Sequence, residues 1–105
     1  MTGVLKQAEG ATIASATTTN LATATGNSPI ITGTTTIASF GTVSAGTIFN
    51  LTFSEILTLT YNATSLILPT SANITTQAGD CMDIESLGGG NWVCTGYLRK
   101  DGSIL

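Results

Sequence analysis

Threonine fills 21 of the 105 positions, and that density constrains the backbone more than any other feature of the chain. A branched Cβ favours the pleated conformation over the helix, and the hydroxyl lets a strand face water without a charge. Charge is scarce: 9% of residues are Asp, Glu, Lys or Arg, against about 25% in an average soluble domain. The hydrophobic fraction is an ordinary 42%. Thr, Ser, Asn and Gly must then cover the surface, or part of it is buried against further copies. A chain of this length builds one small domain, which buries only about 60% of the surface its unfolded form exposes. Association is the natural remedy.

Along the chain, turn signals separate short β-branched runs, and no segment sustains the spacing of an amphipathic helix. Residues 1–10 carry no clear periodicity and read as an N-terminal arm; 11–105 read as a single β-module. Thr12-Ile13-Ala14-Ser15-Ala16 is a candidate strand, and Gly26-Asn27-Ser28-Pro29 a turn. Pro29 marks the start or edge of a strand continuing through Ile30-Ile31-Thr32. The run from Gly33 to Gly41 is a further candidate strand, and its Thr34-Thr35-Thr36 the best case for a solvated threonine face. The segment TIAS occurs at Thr12–Ser15 and again at Thr36–Ser39, suggesting similar strand environments. Thr47–Phe53 carries bulky apolar groups on both parities, as a strand buried on both faces would. Leu57-Thr58-Leu59-Thr60 alternates, Tyr61–Thr64 reads as a turn, and Ser65–Leu68 is a short strand ended by Pro69. The expected class is all-β: a small sandwich or barrel-like module of short strands, trimeric, with an N-terminal arm.

Asp80–Leu87 and Asn91–Leu98 read as a hairpin about Gly88-Gly89-Gly90. A turn centred on Gly89 sets Ile84 opposite Cys94. Alternation then puts Cys94 on the face of Met82 and Ile84, and Cys81 on the other. Both cysteines are therefore expected to be reduced. Trp92 shares the core parity, while Tyr97 has the opposite one and is the candidate for an exposed contact. Asp80, Asp83 and Glu85 read as a solvated strand face, and Arg99-Lys100 as a solvated terminal charge. The sequons at Asn50, Asn62 and Asn73 are coincidental in so threonine-rich a chain.

The chemistry-bearing classes are poorly supplied. There is no histidine, hence no conventional triad, and two thiols without a second pair fall short of a zinc site. The carboxylate cluster lacks the spacing of a calcium loop, and the triple glycine is not followed by the residues of a phosphate loop. No enzyme, cofactor or metal is expected. A net charge of −3 with three cations argues against nucleic acid. No apolar run approaches a membrane span or a secretory signal, so synthesis in a cytoplasm and no membrane insertion are expected.

Three segments in combination carry a resemblance: ATGNSPIITGTTTIASFGT, LTLTYNATSLILPTSANITTQAGD and the closing GGGNWVCTGYLRKDG. Together they resemble segments of bacteriophage tail-fibre proteins and of short phage head-associated proteins, over residues 11–102. The resemblance implies a trimeric, β-rich virion protein without catalytic residues. Met1 stands ten residues before the matched stretch, where fibres carry it inside a long chain, and this shifts the expectation toward a capsid decoration or cement protein. The alternatives are a tail-fibre or receptor-binding domain touching a host glycan or protein, and a free lectin-like module. The expected partners are two further copies and the major capsid protein or another virion protein. Ile48, Leu51 and Phe53 are the expected trimer contacts. Val4, Leu5 and Lys6 in the arm are the expected anchors to the shell.

Overall fold

The computed structural model describes residues 11–104; the N-terminal arm, with Val4, Leu5 and Lys6, lies outside the described residues. It is all-β, with eight strands and two single-turn 3-10 helices, Leu21–Thr23 and Pro69–Ser71. The strands are β1 (Ile13–Ala14), β2 (Ile30–Thr32), β3 (Ile48–Phe53), β4 (Thr58–Leu59), β5 (Leu66–Ile67), β6 (Ile74–Thr75), β7 (Cys81–Gly88) and β8 (Asn91–Leu98). Six form one mixed sheet in the order β1-β2-β3-β7-β8-β5, and β4 pairs with β6 in a second, small sheet. The all-β class is as expected, in the form of two unequal sheets whose buried residues share one core, and neither closes into a barrel.

The N-terminal half is wound rather than folded back. β1, β2 and β3 lie side by side in chain order and all parallel, so each connection must return to the starting end. The returning segments pair with one another too: Thr18 bridges Ser39 and Ile37 bridges Leu59, both in parallel. The two TIAS segments each place their isoleucine on such a rung, Ile13 opposite Ile31 and Ile37 opposite Leu59. Inside this coil Ile31, Ile37, Phe40, Phe53 and Leu59 are fully covered.

The run 33–41 does not form the expected strand and makes only isolated bridges. Its buried residues, Ile37 and Phe40, are three apart, so the inward direction breaks period 2 as the chain rounds a corner. Gly41 completes that corner at φ +82°, and a Cβ there would stand 2.5 Å from Asn20 Oδ1. Thr34-Thr35-Thr36 is exposed loop, not a sheet face.

β3 is also one-faced. Phe49, Leu51 and Phe53 point into the core, while Ile48 is exposed and Asn50 and Thr52 are half-buried. The apparent second apolar face rested on Ile48 alone.

At the turn Leu87 is an extra residue, so Gly88 rather than Leu87 faces Asn91, and Gly88, Gly89 and Gly90 all take positive φ. From Ser86 opposite Trp92 to Ile84 opposite Cys94 the hairpin has the expected register. Beyond it the ladder shifts. Asp83 faces Gly96 while Ile84 faces Cys94, so Thr95 is an extra residue in β8. A bulge of this kind reverses the parity of everything after it. Tyr97 therefore turns inward and is 3% exposed, correcting its assignment as a surface contact.

The bulge leaves the cysteines apart. Cys81 is exposed opposite Leu98, and Cys94 is half-buried three pairs closer to the turn. Three residues of strand separate the pairs by about 10 Å, too far for a disulfide, which needs Cα atoms within about 7 Å. Both are free. Burial first, and then the nearby Asp83 charge, push the Cys94 thiol above its ordinary pKa. Denatured but unreduced protein is expected to take up two equivalents of thiol reagent; a Cys81–Cys94 linked peptide in the mass spectrum would contradict this register.

Candidate functional site

One face of the large sheet lies against the core, and its outer face is the principal surface this fold offers. Register aligns the outward residues into transverse rows. One row runs Ile30, Thr52, Cys81, Leu98 and Ile104 across β2, β3, β7, β8 and the C-terminal tail. A second runs Asn50, Asp83 and Gly96, and a third Ile48, Glu85 and Val93. Large apolar groups stand exposed at both ends of the face: Ile48 at 51% and Leu87 at 47%, then Leu98 at 46% and Ile104 at 80%. The rows carry two carboxylates and no cation. The Asn50 side-chain amide donates to Asp83 Oδ1.

Gly96 has no side chain, so the face sinks above it. The result is an apolar hollow of about 320 Å³, lined by Cys81, Asp83, Gly96, Tyr97, Leu98 and Ile104. Its far wall is the tail, folded back by the turn at Asp101-Gly102: the Arg99 amide donates to Ser103 O at 2.8 Å, and the Gly102 amide to Arg99 O at 2.9 Å. The Ser103 hydroxyl and amide both donate to Asp101 Oδ1, and these bonds hold the Asp101 carboxyl below its ordinary pKa.

Beneath this end of the face lies a buried ionic lock. Asp80 is fully covered. It accepts from the Tyr97 hydroxyl at 2.8 Å, Arg99 Nη1 at 2.9 Å, the Lys100 amide at 2.9 Å and the Gln77 amide at 3.0 Å. Burial pushes the Asp80 pKa up. Hydrogen bonds from Tyr97, Lys100, Gln77 and Arg99 outweigh it and hold the carboxyl below its usual 3.8. Burial likewise raises the Tyr97 hydroxyl, and the hydrogen bond to Asp80 and its charge raise it further. Arg99 also donates to Thr75 O at 2.8 Å and lies 5.2 Å from the Tyr97 ring centroid. The lock thus joins β6, the 77–80 turn, β8 and the tail, and fixes Cys81 and Leu98 facing outward.

Two sequence expectations are corrected here. Asp80 is not part of a solvated carboxylate face, and Arg99 is not a free terminal charge, because each is the other's partner. Asp83 is exposed and Glu85 half-buried on the outer face, as expected. Of the three expected trimer contacts, Leu51 and Phe53 are fully buried within their own chain. They have no surface to give a neighbour. Ile48 alone remains available.

Sequence reasoning missed Leu98 and Ile104 as surface groups. The turn dipeptide Asp101-Gly102 was the signal that the tail doubles back.

The three sequon asparagines are turn-builders or face residues. Asn62 Oδ1 accepts from the Thr64 and Ser65 amides at 2.9 and 3.0 Å, and Asn73 Oδ1 from the Tyr61 amide at 2.8 Å. Among the described residues no group of three or more His, Cys, Asp or Glu could hold a metal ion, and no helix is long and apolar enough to cross a membrane. No protein family, curated protein or solved structure matches the chain.

Proposed function

We propose that this chain is a non-enzymatic structural module of a phage particle, a trimeric decoration or cement protein of the capsid. The observation that carries this reading is the outer face. A lone module leaves Ile48, Leu87, Leu98 and Ile104 in water on one side of one sheet, and such patches mark association surfaces. The resemblance in the threonine-rich and N-A-T-S-L-I-L-P segments supplies the particle. Cementing needs no chemistry: bridging neighbouring shell subunits adds buried area, worth about 25 cal/mol per Å² of apolar surface removed from water. Ile48 is the proposed trimer contact that survives the fold.

Light scattering at micromolar concentration is expected to give three copies. Ile48→Asp is expected to yield monomers with an unchanged circular dichroism spectrum, since that side chain is half exposed on the outer face and outside the core of its own chain. A wild-type monomer would overturn the trimer. Counting the chain in purified particles separates the readings within the virion: hundreds of copies for a decoration protein, a few for a receptor-binding fibre domain.

A further inference from the structure

The hollow over Gly96 has a defined chemistry. Leu98 and Ile104 wall it with aliphatic groups, and the Asp83 carboxylate stands at one side. Asp83 Oδ1 accepts from the Asn50 side-chain amide, and Oδ2 has no partner among the described residues. A Cβ on Gly96 would stand 3.6 Å from Oδ2, so the glycine keeps that oxygen open to an arriving group. The complementary group is an aliphatic stem that ends in a cation. One free oxygen suits the point charge of an ammonium, whereas a guanidinium fork uses both oxygens of a carboxylate.

Among the described residues there are two cations. Arg99 is held by Asp80. Lys100 is exposed, and only its backbone amide is engaged, by Asp80 Oδ1; its ammonium has no partner among the described residues. It does not serve the hollow of its own chain. Asp83 faces Gly96, four residues before Lys100, and the Lys100 Cβ lies beside Gly79, four residues before Asp83. Four residues of extended chain span about 13 Å, beyond the reach of a lysine stem. Lys100 instead stands at the border of the outer face, two residues past Leu98 in the turn that folds the tail back. The rows of that face carry carboxylates and no cation, so a second copy laid against it supplies from its own border the charge the face lacks.

We infer that Lys100 of a neighbouring copy seats in the hollow, its stem along Leu98 and Ile104 and its ammonium on Asp83 Oδ2. The inference rests on the reading of the outer face as an association surface, and it holds with or without a particle. Apolar burial supplies the adhesion, and the Lys100–Asp83 pair fixes how one copy is set against the next.

Carbodiimide coupling joins an amine to a carboxylate where the two are in contact, and it tests the wild-type chain directly. After heavy-isotope and ordinary chains are refolded together and coupled, a Lys100–Asp83 linked peptide with one heavy and one ordinary half is expected. Linked peptides of uniform label only, Lys100 joined to a different carboxylate, or no link at all would each overturn the seat. Charge reversal is the second measurement. Asp83→Lys and Lys100→Glu are each expected to raise the concentration of half-dissociation at least tenfold by light scattering, with an unchanged circular dichroism spectrum, and the double variant to recover most of that loss. Single variants that associate like wild type, or a double variant no better than either single, would overturn the seat and leave the association reading standing. A wild-type monomer would overturn the association reading itself, and the seat with it.

Discussion

Asp80→Ala is expected to cost about 3–5 kcal/mol of unfolding free energy, the range for removing one partner of a buried ion pair. Arg99, whose side chain is 25% exposed, can turn to water once its partner is gone. The Tyr97 hydroxyl has no such escape, and an abandoned buried donor costs about 1–3 kcal/mol, whereas the Gln77 and Lys100 amides belong to exposed residues and lose their acceptor at smaller cost. Arg99→Ala should therefore be milder, about 1.5–3 kcal/mol, because Asp80 keeps three donors. Urea unfolding checks the order, and an Arg99 variant weaker than the Asp80 variant would show that the amides and hydroxyl find other acceptors.

The same lock predicts a pH dependence. The folded Asp80 carboxyl sits below 3.8, so the unfolded chain binds its proton first as acid is added. The stability it contributes is complete above that ordinary value and is lost as pH falls through the folded one. The gap between wild type and Asp80→Ala should accordingly narrow below pH 3.8. Asp101 is shifted in the same direction and is present in both proteins, so it cancels in the difference apart from the small upward push that the Asp80 charge gives it. A gap that stays constant down to pH 2 would contradict the assignment.

What the sequence made legible follows from where period 2 held. The all-β class, β2 after Pro29, β3 and the hairpin with Ile84 opposite Cys94 all rest on local alternation and turn chemistry. The failures begin where one residue was added. Thr95 bulges out of β8, and nothing in NWVCTGYL distinguishes a bulge at Thr95 from an unbroken strand. Tyr97 was thereby assigned outward, and with it the partner that draws Asp80 inward was lost. The parallel winding of β1–β3 was equally invisible, since two-residue strands joined by irregular returns carry no periodicity of their own. Ile48, Leu51 and Phe53 appeared equivalent as apolar members of one strand. Their separation into one exposed and two buried groups depends on which sheet face meets the core, and that is a tertiary fact.

Trp92→Ala is the other large expected effect. Trp92 is fully buried and stands where the two halves of the fold meet. It packs edge-on to Phe40 of the wound half at 6.0 Å and against Phe49 of β3 at 5.9 Å. Its indole Nε1–H donates to Gly41 O at 2.8 Å. Its strand pairs with β5 at Leu66 and with β7 at Ser86, so the surrounding backbone is held on both sides and cannot collapse into the space. Truncation should cost about 3–5 kcal/mol. Trp92→Phe restores most of the apolar volume but removes the donor to the half-buried Gly41 carbonyl. It should therefore cost less than truncation: about 1 kcal/mol for the lost neutral hydrogen bond, plus the cost of the volume not refilled. The corner at Gly41 gives a second readout. Its conformation is constrained by Asn20 on one side and Trp92 on the other, so hydrogen exchange at the Leu21 amide, which donates to Phe40 O at 3.0 Å, should accelerate in both variants. Unchanged exchange there beside a large loss of stability would mean that Trp92 supports the hairpin alone and does not couple it to the wound half.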